Sequence, residues 1–96
     1  LSPLSPDEVA EEQEEEEKVR KKGDNAYIFR NIVVEIVEVM QFRSPAGRLK
    51  NMIAYRIRDR NFVSPVAHFW MDQAEDVKKY IKQVVEQYLA VKGMIK

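Results

Sequence analysis

Cysteine is absent from this 96-residue chain. That excludes a disulfide framework, a thiolate nucleophile and a zinc–thiolate centre. No run of 18 apolar residues occurs, so no segment reads as a membrane-spanning helix. No basic stretch leads into an apolar one after Leu1, as a secretory leader would. The expectation is a cytoplasmic protein with no membrane to engage. Histidine occurs once, at His68. A metal needs several ligands at fixed spacing, and a general base needs a nucleophile beside it. His68 has neither in the sequence and reads as a sheet-face residue. No phosphate loop and no paired acid and base stand out. The expectation is a protein that is not an enzyme, with no catalytic residue, metal, cofactor or small-molecule substrate. Glycine and proline are scarce, at three and four residues, so each marks a place where the chain turns.

Charge is present in quantity but unevenly placed. Lys plus Arg and Asp plus Glu number 16 each, a formal net charge of zero. Residues 7–17 hold eight of the acids and no base. From Asp24 to the end there are 12 bases and 8 acids, a net of +4. Six of the seven arginines (Arg30, Arg43, Arg48, Arg56, Arg58, Arg60) lie between residues 30 and 60, whereas the last 25 residues carry only lysine as cation. Arginine offers a rigid fork that fits phosphate, and lysine is the more generic solubilising charge. Such asymmetry is the pattern of a nucleic-acid surface beside an acidic segment.

The chain divides into an arm, residues 1–23, and a single small domain, residues 24–96. Ser5 is placed as an N-cap, with Pro6 in the first turn and Glu8 completing a capping box. This predicts a helix over about 6–22 that ends at Gly23, Asp24 and Asn25. Its acids come first and its bases last, which suits the helix dipole. With only Val9, Ala10 and Val19 apolar, it has almost no face to bury. It reads as a solvated arm; the alternative is an arm that covers a basic sheet and competes with its ligand. Residues 26–43 are rich in Ile and Val and predict a short strand, a bend near Arg30 and Asn31, and a longer strand. Ser44, Pro45, Ala46 and Gly47 form a hairpin loop. A strand over about 49–60 follows, then a last strand over 62–71 broken at Ser64 and Pro65. Asp72 and Glu75 form a second capping box. Val77, Tyr80, Ile81, Val84, Val85, Tyr88 and Leu89 then recur at three- and four-residue steps, the stripe of an amphipathic helix. The fold class is α+β: a three- to four-stranded antiparallel sheet with an N-terminal helix and a C-terminal helix packed on one face.

The segment around RIRDRNF carries the functional reading. Ile53, Tyr55 and Ile57 alternate with Met52, Ala54, Arg56, Arg58 and Arg60, so one strand face is apolar and the other bears guanidinium groups. Like charges at that spacing repel unless something negative meets them. Phe62, His68, Phe69 and Trp70 follow on the neighbouring strand. Flat rings beside cationic forks suit a ligand with bases to stack and phosphates to pair. Arg43, Arg48 and Lys50 flank the hairpin loop as a positive rim. Only one helix has an apolar stripe, so one sheet face stays open, with Met52, Ala54, Trp70 and Phe42 on it beside the arginines.

The polar N-terminal helix, the Arg- and aromatic-rich sheet with its RIRDRNF and HFW runs, and the closing helix resemble ThermoDBP. That is a family of single-stranded DNA-binding proteins of hyperthermophilic archaea, the Thermoproteales. The resemblance covers about residues 5–96. It implies sequence-independent binding of single-stranded DNA, with bases in an apolar cleft and basic residues beside it. It carries Arg56, Arg58, Arg60, Phe62 and Trp70 to that cleft. It also implies a homodimer through a C-terminal segment beyond Lys96. A looser similarity is to four-strands-then-helix single-strand binders of the Whirly type. With Arg30, Phe42, Arg43, Arg48 and His68 added from the charge and face arguments, the expected partner is single-stranded DNA or RNA. The competing class is a protein–protein dimerisation or adaptor module that uses the same open face.

Overall fold

The computed structural model describes residues 18–94. Six strands and one helix follow in order: β1 Arg20–Lys21, β2 Ala26–Phe29, β3 Ile32–Arg43, β4 Leu49–Asp59, β5 Phe62–Val63, β6 Ala67–Asp72 and α1 Val77–Met94. All pairings are antiparallel. The sheet runs β1-β2-β3-β4-β5, and β6 pairs the same side of β4 further along. The α+β class with an antiparallel sheet is as expected; the strands number six because short β1 and β5 pieces join it.

Turn chemistry accounts for the connections. Arg30 and Asn31 both have positive φ, 51° and 64°. They form the tight two-residue loop that suits the twist of a hairpin. This is the expected bend near those residues. Gly47, at φ 83°, closes the loop between β3 and β4, and its N–H donates to the Ser44 carbonyl at 2.8 Å. The expected last strand divides at Ser64 and Pro65, where proline cannot donate to the ladder. The Ser64 hydroxyl fills part of the gap by accepting from the Ile57 N–H at 2.8 Å.

The core lies between α1 and one sheet face. Phe29, Ile32, Val34 and Ile57 from the sheet meet Ile81, Val84 and Val85 from the helix. Val77, Tyr88 and Leu89 pack at its margin, so the predicted stripe is the face that is buried. Phe29, Val34, Ile81 and Val85 are the largest fully buried side chains. Each contributes roughly 1.5–3 kcal/mol by leaving water, before chain entropy is subtracted.

Two expectations are corrected. The N-terminal helix does not reach Lys22: Arg20 and Lys21 are extended and pair Ile28 and Tyr27. Val19 packs at the core margin, so this segment has a sheet edge to join. The expected helix over residues 6–17 lies outside the described residues. The C-terminal helix starts at Val77 rather than after Asp72, because Asp72 is still paired to Lys50 in the sheet. Asp76 is its cap and accepts from the Lys78 N–H at 3.0 Å. The Asp72 and Glu75 pair does form the reach-back contact of a capping box, Asp72 N–H to Glu75 Oε2 at 3.0 Å, but it closes a turn. Among the described residues no helix is long and apolar enough to cross a membrane.

Candidate nucleic-acid interface

One irregularity decides what the open face contains. Ile36 pairs Tyr55 and Glu38 pairs Ala54, so Val37 is an extra residue, a β-bulge. A bulge breaks the two-residue alternation. Before it, Val33 and Glu35 face away from α1; after it, Glu38, Met40 and Phe42 do. Rows of side chains then cross β3, β4 and β6. Phe42, Lys50 and Asp72 form one row, and Met40, Met52 and Trp70 the next. Glu38, Ala54 and His68 form the third. Further along, Glu35 stands opposite Arg56, and Val33 and Val63 stand on either side of Arg58. Neighbours within a row are about 4.5–5.5 Å apart.

The apolar centre of this face is open to water. Trp70 is 51% exposed, Phe42 41% and Met40 39%. The Trp70 and Phe42 rings meet with centroids 5.4 Å apart and planes tilted by 59°. They line a hollow of about 310 Å³ with Arg43, Ser44 and Lys50. Such a hollow has two ring surfaces and cations at its edge. Contiguous exposed apolar surface of this kind marks a place of contact.

The arginines are arranged differently from the simple alternation. Arg56 and Arg58 are on the open face, but they share one carboxylate. Glu35 Oε2 accepts from Arg58 Nε at 2.7 Å, and Glu35 Oε1 lies 3.4 Å from Arg56 Nε. Two cations on one anion leave one positive charge uncompensated, and all three side chains are about a third to a half exposed. The carboxylate holds the Arg58 fork by a hydrogen bond through Nε, whereas Arg56 is held by charge alone, its Nε buried without a hydrogen-bond partner. Arg60 does not continue the row. It sits in the turn after β4 at φ 57°, where strand alternation no longer applies. It lines a separate hollow of about 530 Å³ with Arg30, Asn31, Asp59 and Lys92. Arg30 belongs to that end too, its guanidinium 5.4 Å from the centre of the Phe29 ring.

Phe62 is not on the open face. The two-residue turn pairs it with Asp59, which points toward α1, and its ring stacks on Tyr88 at 6.0 Å and 18°. His68 is exposed and lies on the open face beside Ala54. Arg43 is at the rim, its Nη1 donating to the Gly47 carbonyl at 2.9 Å. Arg48 is exposed in the same loop and lines a third hollow with Arg43, Leu49 and Asp72. Of the expected residues, the structure therefore gathers Phe42, Arg56, Arg58, His68 and Trp70 on one face. Arg43 and Arg48 border it, and Arg30, Arg60 and Phe62 stand apart. Met40 and Glu35 join that face without a signal in the sequence, because only the bulge puts an odd and an even position of β3 on the same side.

Away from the face, Asp59 is a buried carboxylate held by the Tyr88 hydroxyl at 2.8 Å and the Lys92 ammonium. The Lys92 bond, then the Tyr88 bond, lower its pKa below 3.8. Glu75 is likewise lowered, first by the Tyr80 hydroxyl and then by the Asp72 N–H. Both contacts fasten α1 to the sheet or to the turn before it. Among the described residues no three acidic or histidine side chains gather as a metal site would require. No protein-family model matches the chain, and no curated protein or solved structure shows significant similarity to it.

Proposed function

We propose that the open face binds single-stranded nucleic acid without regard to sequence. The observation that carries this reading is the exposed Trp70 and Phe42 pair with Lys50 and Met52 beside it on β4, the strand between β3 and β6. A base inserted against these rings gains stacking, worth roughly 1–3 kcal/mol per base, and every base has a flat surface to offer. Lys50 and Arg43 stand where phosphates flanking that base would pass. Arg56 and Arg58 lie two and three rows beyond the Trp70 row and extend the positive track. The Glu35 contact supports orientation at Arg58: a guanidinium fixed through Nε has its remaining donors free for an incoming phosphate at a lower ordering cost. A single strand suits this face better than a duplex, whose bases are already stacked and paired.

Titration with an oligo-dT of increasing length tests the proposal. Trp70→Ala is expected to weaken binding about tenfold to a hundredfold while the dependence on salt stays the same. Arg58→Ala is expected to weaken binding and to flatten the log–log salt slope by about 0.7 for each phosphate no longer neutralised. Unchanged affinity in both variants would remove the site from this face.

A further inference from the structure

We infer that the chain pairs with a second copy of itself through the outer edge of β3, over residues 37–43. Among the described residues, β2 covers β3 only from Ile32 to Glu35, with one further bond from Ile36 N–H to the Asn25 carbonyl. Beyond the bulge no described strand lies on that side. The outward amide and carbonyl groups there form a row that only another extended backbone can pair. Exposed apolar side chains occur along it, Val37 at 43%, Val39 at 55% on the α1 side, and Met40 and Phe42 on the open face, set among Glu38, Gln41 and Arg43. Residues 37–43 hold no proline and no lysine, two of the devices that protect such an edge; the bulge at Val37 and the charges of Glu38 and Arg43 lie toward its two ends.

The segment is compatible with itself. Antiparallel pairing about a two-fold axis through Met40 sets Val37 opposite Arg43, Glu38 opposite Phe42 and Val39 opposite Gln41. No like charges oppose, and every residue of the open edge is used. The same register joins the two Met40, Met52 and Trp70 rows into one line across six strands. That line spans about 24 Å at the usual strand spacing. The outer edge of β6 is less suited. Its α1 side is already occupied, with Tyr80 stacked on Phe69 at 5.2 Å and 3°. Pairing rests on the β3 edge alone; its consequence, a doubled binding face, rests on the nucleic-acid reading.

Sedimentation across a wide concentration range, without nucleic acid, gives the first test. The expected result is twice the chain mass at high concentration and a shift toward single chains on dilution. Hydrogen exchange then locates the contact: amides of residues 37–43 that do not donate to β4 become protected as the dimer forms. Val39→Lys lies on the side away from Trp70 and is expected to weaken the dimer at least tenfold with oligo-dT contacts to the open face preserved. The exchange result on the unaltered chain decides the matter if that variant does not fold. A single chain at all concentrations, or a dimer whose protected amides lie at residues 67–72 or elsewhere, overturns the inference. A monomer that binds oligo-dT sinks the pairing and leaves the function standing; a dimer that ignores oligo-dT does the reverse.

Discussion

Glu35 is a single carboxylate with two arginines on it, and that makes it a control point. Removing its charge takes away the charge-assisted bond to Arg58 and the ion pair with Arg56. Glu35→Gln is expected to tighten oligo-dT binding and to steepen the salt slope by up to about 0.7. Weaker binding with the slope unchanged would mean that orientation of the forks outweighs the added charge. Asp59 is the opposite kind of residue, enclosed and structural. Its pKa, and that of Glu75, lie below the usual 3.8 and 4.5. The stability they contribute is complete above those values and is lost as pH falls through the lower folded-state values. Tyr88 is raised above 10 first by burial and then by Asp59, so its contribution is lost as pH rises beyond that point. Thermal melts are therefore expected to be flat between about pH 5 and 9 and to fall on both sides. Asp59→Asn should lower the plateau and flatten the acid limb; an acid limb identical to that of the unaltered chain would contradict this assignment.

Among the elements, α1 supplies three of the seven residues of the buried core cluster, and β3 holds the irregularity that sets the open face. Ile81 is fully buried, and Ile81→Ala is expected to cost about 2–5 kcal/mol by chemical denaturation. A loss under about 1 kcal/mol would mean the helix is not seated as described. The helical stripe was legible because apolar residues recurring at three- and four-residue steps from Val77 to Leu89 admit only one face. The β2–β3 bend was legible at Arg30 and Asn31 for a similar reason: the stretch from Ala26 to Arg43 exceeds the usual strand length. The bulge at Val37 was not legible. Ile36, Val37, Glu38 and Val39 read equally well in either register, and only the partner strand chooses between them. That one extra residue brought Glu35, Met40 and Phe42 to the same side. Strand alternation carried Arg56 and Arg58 correctly and failed at Arg60, because where β4 ends depends on its pairing with β5. It failed at Phe62 because a two-residue turn matches 59 with 62.

At the scale of the whole molecule, α1 is shorter in reach than the sheet it covers. Val34 beneath it is sealed, while Val39 on the same side is more than half exposed. The hairpin of β3 and β4 therefore extends beyond the core, with apolar side chains on both faces and an unpaired edge among the described residues. The formal charge of zero hides an excess of +4 after residue 23, so residues 24–96 carry a net positive charge that the composition of the whole chain conceals. Binding is expected to weaken as salt rises, and a duplex of equal length is expected to bind far less tightly than a single strand. Equal affinity for both would reduce the face to a general basic patch.

Trp70 is the one tryptophan in the chain, and it stands at the centre of the proposed contact. Its fluorescence, followed while oligo-dT is added at low salt, measures the central claim directly. A base stacked on the indole is expected to quench the emission saturably, at the same midpoint as binding measured by anisotropy of a labelled strand. Binding that leaves the emission of Trp70 unchanged would place the nucleic acid elsewhere and contradict the account.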